Sequence, residues 1–219
     1  MAPSDPAGPS PSSAHAYGRD AGRYDARTAR YEVYRRRAVA LLPVAPGEVV
    51  ADVGCGTGLC FEYLVDRVGP EGTVVGVEPA DAMRTLAAER IAAHGWTNVV
   101  LVGSAVESAV LPPLDHVLFC AVHDVLQSPV ALDHVLAHVR DGGGVAATGG
   151  KWAPAWAVAL NAGVLALHAP FVRNFAGFGR PWALLAERVP GLVVEEVAFG
   201  AGYVASGRVH RGPAHPSTA

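Results

Sequence analysis

Ten residues, Val49-Val50-Ala51-Asp52-Val53-Gly54-Cys55-Gly56-Thr57-Gly58, set the strongest limit on what this chain can fold into. They hold an apolar run, one acid and three alternate glycines. The Val and Ala run reads as a buried strand. Glycines at every second position let the chain turn sharply and pass its backbone against a ligand, which a Cβ would obstruct. Three glycines alone would also suit a purely structural turn, so the weight rests on their surroundings. Dinucleotide turns space their glycines G-x-G-x-x-G ahead of a helix that receives phosphate. Here the spacing is G-x-G-x-G.

A second strand, Thr73-Val74-Val75-Gly76-Val77, ends at Glu78-Pro79, about twenty residues past the glycines, where an acid can accept from ribose hydroxyls. Glu78 has a second reading as a cap on the next helix, whose first turn also carries Asp81. The two roles can coexist. Further strands are predicted at Asn98 to Ser104, His116 to Val122, Val145 to Thr148, Leu192 to Ala198 and Gly202 to Val209. Helices are predicted at Ala80 to His94 and Pro129 to Arg140. The last two strands, joined by Gly200-Ala201-Gly202, read as a hairpin. The expected fold is therefore α/β and Rossmann-like: a seven-stranded, mostly parallel sheet with a carboxyl-terminal antiparallel hairpin and helices on both faces.

With Asp52 ahead of its first glycine, the turn resembles motif I of the class I S-adenosylmethionine-dependent methyltransferases. Tyr24-Asp25 and the later tyrosines resemble the amino-terminal segment of the ubiquinone/menaquinone and phospholipid methyltransferase-like groups. The resemblance spans roughly residues 24 to 209, with its specific motifs between 49 and 124. It implies S-adenosylmethionine as cofactor, held by Asp52, Gly54, Cys55, Gly56, Gly58, Glu78, Pro79, Met83, Ser104, Ala105 and Cys120. Met83 would meet the adenine face, or serve as ordinary core. Members of the family usually carry Asp where Ser104 stands, so Ser104 or Glu107 must take over the adenine contact.

At 219 residues the chain suits one domain, which at this size buries about 70% of its unfolded surface. We assign that domain to residues 15–210, with an amino-terminal helical lid over 15–42. Residues 1–14 and 211–219 read as disordered tails. A net charge of −3 gives no basic footprint for nucleic acid. Cys55, Cys60 and Cys120 are odd in number and lack metal-ligand spacing, which points to a reducing compartment without disulfides or a metal. No secretory signal is evident, so a cytoplasmic monomer or homodimer is expected.

Tyr17, Tyr24 and Tyr31 recur every seven residues, and Arg19, Arg23, Arg27 and Arg30 at steps of three and four. One helix would then show an aromatic face and a basic face. It reads as a lid whose tyrosines touch the acceptor, or as a packed helix with a solvated charged face. Residues 153–172 carry no charge, long enough for a membrane span. Pro154, Pro170 and the many alanines favour instead a helix packed over the site, with peripheral membrane contact still allowed. Trp152 and Trp156 flank it as candidates for a greasy acceptor pocket, or as core.

His123-Asp124 follows the fourth strand at its carboxyl end, where open α/β sheets bind ligands. A sulfonium methyl donor is already activated, so catalysis is mainly alignment plus management of one proton. His123, with an ordinary pKa near 6.5, is the candidate general base and Asp124 its neighbour in catalysis. The other reading of His123 is a cap at a strand or helix end. Oxygen, nitrogen and carbon acceptors all remain open. The chain lacks the Asn-Pro-Pro-Tyr run that often marks methylation of planar amines, and the apolar segment suits a small hydrophobic acceptor resembling a quinone, lipid or polyketide. The rival reading is a methyltransferase-like fold turned to cyclisation, rearrangement or ligand binding.

Overall fold

The structure is a computed structural model of the chain, and it describes residues 25–26, 28–172 and 174–211. Strands β1 (Val49–Val53), β2 (Thr73–Val77), β3 (Val99–Val102), β4 (Leu114–Cys120), β5 (Val139–Gly150), β6 (Val193–Val197) and β7 (Gly202–Arg208) form one sheet. Their order is β3-β2-β1-β4-β5-β7-β6. Pairings among β1 to β5 are parallel, whereas β7 runs antiparallel to both β5 and β6. This is the sheet the sequence predicted. The chain order reverses between β1 and β4, and the crevice beyond the carboxyl ends of strands at such a reversal is where open α/β sheets hold ligands.

The described helices are α1 (Glu32–Leu41), α2 (Phe61–Val68), α3 (Asp81–His94), α4 (His123–Leu126), α5 (Pro129–His138), α6 (Val158–His168) and α7 (Ala183–Arg188). Because helices cover both faces, the central strands are apolar without alternation, and β1 is buried from Val50 through Val53. One core cluster joins Val53, Val77, Phe119, Leu132 and Tyr203; the other joins Val50, Leu64, Val74, Leu118 and Val204. Helix α2 buries Phe61, Leu64 and Val68, three and four residues apart, which is the stripe a helix turns toward a sheet. Helix α5 starts where Ser128 Oγ accepts from the Ala131 N–H at 3.2 Å, with Pro129 in the first turn.

The structure moves several boundaries. Strand β4 begins at Leu114, ahead of the predicted His116, and β5 begins at Val139 instead of Val145, so α5 stops at His138. The cause is tertiary pairing: Gly142 N–H donates to Val209 O at 2.8 Å and Val209 N–H to Gly143 O at 2.9 Å. The register of β4 with β5 also shifts between Leu114 and His116, a local bulge that no propensity announces. Arg211, read from sequence as the start of a tail, is held by Asp141 Oδ1 through its N–H at 2.9 Å and by carbonyls of Ala137 and Val139.

The predicted amino-terminal helix falls partly outside the described residues, Tyr17 and Tyr24 included. In the described part residues 25, 26 and 28 are helical, and a short 3-10 turn, Ala29–Tyr31, leads into α1. At the opposite end of the sheet from the crevice, the fully buried His116 accepts from Gly144 N–H at 2.8 Å through Nδ1 and meets Glu48 at 2.7 Å through Nε2. Arg140 closes this network on Glu48 and Asp115.

Candidate active site

A cavity of about 370 Å³ opens at the carboxyl ends of β1 and β4, within the size range of small-molecule sites. Its floor is Asp52, Gly54 and Cys55 from the glycine turn. One wall carries Cys120, Ala121, His123 and Asp124, and its cover comes from Tyr31 and Tyr34 of the amino-terminal segment with Leu167, His168 and Phe171 around α6. Two features of the turn require glycine. Gly54 sits at φ +67°, where a Cβ would lie 2.3 Å from Val122 Cγ1; Gly58 sits at φ +79°, where it would strike the Phe61 ring at 2.5 Å. Ala121, at φ +59°, holds a left-handed conformation unusual for a residue with a Cβ, on the cavity wall itself.

Asp52 is buried, and neither carboxylate oxygen has a hydrogen-bond partner. Burial, with the like charge of Glu78 adding to it, pushes its pKa up to about 7 against the opposing charge of Arg35. An orphaned acid in such a place asks for a cationic or donor-bearing ligand. Glu78 is buried beside it, accepting from Gly56 N–H at 3.0 Å and from Ala80 N–H at 2.8 Å. It therefore braces the turn between the glycines and Ala80, the residue ahead of the next helix, without capping that helix, and its oxygens keep lone pairs free. Ser104 Oγ is buried without a partner, whereas Glu107 accepts from Ser128 Oγ at 3.1 Å. Of the two candidates for the adenine contact, Ser104 has no partner, whereas Glu107 is engaged by Ser128 and keeps its remaining lone pairs.

His123 starts α4. Its Nε2 lies 3.0 Å from Ala176 O, an acceptor only, so in the neutral ring Nε2 carries the proton and Nδ1 presents a lone pair. That Nδ1 is buried and has no partner. Burial holds the His123 pKa below its ordinary value, with Ala176, Asp124 and Asn174 opposing. His168 approaches from α6: its Nε2 is 3.2 Å from the Tyr31 hydroxyl, and burial plus neighbouring His123 lowers its pKa to about 4. Both imidazoles stand edge-on to Phe178, at 5.0 and 5.2 Å between centroids.

The amino-terminal segment is tied down at two further points. Asp25 accepts from Thr57 Oγ1 at 2.6 Å and pairs with Arg90, fixing the segment to the glycine turn. Arg35, 5% exposed, reaches the cavity with its guanidinium on Glu32 at 3.0 Å. Of the predicted basic face, Arg19, Arg23 and Arg27 lie outside the described residues and Arg30 is exposed, whereas α1 turns Arg35, outside that set, inward.

Of the predicted site residues, the cavity brings together Asp52, Gly54, Cys55, Cys120, His123, Asp124 and Tyr31. Gly56, Gly58, Glu78, Pro79, Met83, Ser104 and Ala105 do not line it, though Glu78 touches the turn directly. Met83 is buried in a small cluster with Ala80, which fits its core reading. Trp152 does not line the cavity and stacks on Phe175 at 5.1 Å, and Trp156 is 84% exposed. The aromatic wall is made instead by Tyr34 and Phe171, with Gln127 and Asn174 as amide groups. His168 was the residue most open to discovery from sequence, being the lone titratable side chain in residues 153–172. Arg35 carried no mark distinguishing it from its six neighbours.

Among the described residues no group of three or more His, Cys, Asp or Glu could hold a metal ion, and no helix is long and apolar enough to cross a membrane. Residues 50–143 match the family model described as a methyltransferase domain. The chain is 38% identical over 84 residues to nocamycin O-methyltransferase of Saccharothrix syringae, covering 38% of this chain and 30% of the relative. It is 34% identical over 88 residues to demethylmenaquinone methyltransferase of Bacillus cytotoxicus, covering 40% and 36%. The matched part is thus about a third of each of these relatives' length. Among solved structures, a SAM-dependent methyltransferase from Aquifex aeolicus superposes with a TM-score of 0.65 at 18% identity, over 88% of this chain and 98% of that one.

Proposed function

We propose, from the match of residues 50–143 to the methyltransferase domain model and from the fold shared with a SAM-dependent methyltransferase structure, that the protein methylates a small hydrophobic acceptor, with His123 taking the acceptor's proton. The observation that carries this reading is Asp52, a buried carboxylate with two unpartnered oxygens at the floor of a glycine-lined cavity. S-adenosylmethionine bears an ammonium and a sulfonium, the charges such a group needs.

The residues present fit this cofactor. Asp52 would hold the amino group and Arg35 the carboxylate of the methionine part, against the backbone of Gly54, Cys55 and Gly56. Glu78 would take the ribose hydroxyls and Ser104 the adenine edge, with Pro79, Met83, Ala105 and Cys120 around them. Bound there, S-adenosylmethionine supplies an electrophilic methyl group on a positively charged sulfur.

The chain's own part is to align, desolvate and move one proton. Fixing the acceptor in the cavity makes the encounter effectively intramolecular. Tyr34, Leu167 and Phe171 exclude water, while Gln127 and Asn174 can orient a polar group of the acceptor. His123 Nδ1 has the free lone pair, and its Nε2–H, held by Ala176 O, fixes the tautomer. A lowered pKa keeps the ring neutral near pH 7, ready to accept from a hydroxyl or an acidic carbon. The apolar wall supports a hydrophobic acceptor, as does the likeness to a relative named for demethylmenaquinone.

The test is incubation with methyl-labelled S-adenosylmethionine and a bacterial lysate, followed by partition of products between organic solvent and water. Protein-dependent label in the organic phase is expected. Label confined to the aqueous phase would remove the hydrophobic acceptor, and no transfer to any fraction would remove the activity.

A further inference from the structure

The outward face of α6 is a large feature that the reaction leaves unused. Residues 153–172 contain no Asp, Glu, Lys or Arg. The inner face buries Val164 and meets the cavity through Leu167 and His168. The outer face, Val158, Ala159, Ala162, Leu165 and Ala166, is exposed, Val158 by 72%. A surface helix ordinarily turns polar side chains outward. Here the outward face is apolar.

Two exposed aromatic rings lie near the start of this helix. Trp156 precedes the helix, 84% exposed, and Phe199 is 94% exposed in the 3-10 turn Ala198–Gly200. That turn places three consecutive residues at positive φ, +52°, +55° and +82°. Left-handed conformations at residues with a Cβ cost about 1–3 kcal/mol each and persist only where the surroundings impose them. Lys151 imposes this one: its Nζ donates to Gly200 O at 3.1 Å and pairs with Glu196 at 3.1 Å. Pro154 lies alongside, 2.9 Å from where a Cβ on Gly200 would stand. The fold thus holds a phenyl ring in water, against conformational preference, beside an uncharged helix.

We propose that the outer face of α6, with Trp156 and Phe199, docks on the surface of a neutral lipid bilayer. A second copy of the chain is the weaker candidate on area. Eleven helical residues span about 16 Å, and a strip about 10 Å wide with two aromatic rings of about 150–250 Å² each offers roughly 460–660 Å², still below the roughly 800 Å² per partner of a stable interface. Interfacial insertion needs only a few apolar side chains reaching about 5–10 Å into the headgroup boundary, where aromatic rings are favoured. The patch offers nothing to an anionic headgroup: residues 153–172 carry no cation, and Glu196 at the rim is paired with Lys151. An acceptor dissolved in the bilayer would then meet the cavity along the inner face of the same helix. That use rests on the hydrophobic-acceptor reading; the docking does not.

The experiment is flotation of the full chain, without cofactor, on phosphatidylcholine vesicles, repeated with phosphatidylserine added and at low and high salt. Binding to phosphatidylcholine is expected, insensitive to salt and not increased by phosphatidylserine. Val158→Asp with Phe199→Asp should weaken partition at least about tenfold. Phe199→Ser alone should weaken it measurably, and S-adenosylmethionine affinity should be unchanged in both variants, which shows that they fold. Failure to float, binding only when phosphatidylserine is present, or unaltered binding by the variants would overturn the proposal. So would a doubled mass in sedimentation that the same substitutions abolish, which would give the face to a second copy. Because no methyl transfer is read, these outcomes are independent of those that would overturn the catalytic reading.

Discussion

Asp52 carries the sharpest conflict between the proposed function and stability. Its folded pKa of about 7 lies above the roughly 3.9 of an unfolded Asp. The raised acid therefore contributes a stability that is fully present below the unfolded value and falls away as pH rises from about 4 to about 7. Asp52→Asn should stabilise the free protein at pH 7.5 by on the order of 2 kcal/mol, measured by urea unfolding, while weakening S-adenosylmethionine binding at least about tenfold. A loss of both stability and affinity would mark Asp52 as structural. His123 is tested by rate: His123→Ala should slow transfer about 10²- to 10⁴-fold with cofactor affinity intact. Because burial lowers its pKa, the acid limb of the wild-type rate profile should fall below pH 6.5 and be absent in the variant. An unchanged limb would assign it to another group.

Among the elements, the amino-terminal segment is held by contacts that no local pattern encodes. Asp25 bridges Thr57 and Arg90, and Tyr31 meets His168 across 137 residues. Gly150 makes room for that meeting, since a Cβ there would lie 2.2 Å from His168 Nε2. Gly150→Val should therefore displace α6 and free Tyr31, raising hydrogen exchange over 28–41 and 158–168 while leaving β1 and β2 protected. Exchange confined to wild-type levels would deny the coupling. What was legible in the sequence follows the same division. The strands and the glycine turn were readable because each is written in a short contiguous run. His168 and Arg35 were not, because their roles come from tertiary approach of α6 and α1 to the crevice. Trp156 looked like a pocket residue because aromatic composition does not say which way a ring points.

For the whole molecule, the sheet separates an end that opens on the cavity from one that is closed by a polar network. The amino ends of the strands are locked by His116, Glu48, Arg140 and Asp115. Burial opposes ionisation of Glu48, but the Ala45 N–H, His116 and Arg140 outweigh it and hold its pKa below the ordinary value. Its contribution is therefore present above about pH 4.5 and lost as pH falls through the folded value. His116→Leu, which leaves Glu48 and the Gly144 N–H without their partner, should cost roughly 2–3 kcal/mol in urea unfolding and leave cofactor affinity unchanged. The complementary end is where the account stands or falls, and the most direct measurement is calorimetric titration of the full chain with S-adenosylmethionine beside Asp52→Asn. One site per chain is expected, strengthening from pH 6 to 8 as Asp52 ionises, with the variant at least about tenfold weaker and insensitive to pH over that range. Absence of binding to the wild type, or equal binding by the variant, would contradict the assignment of this cavity to the methyl donor.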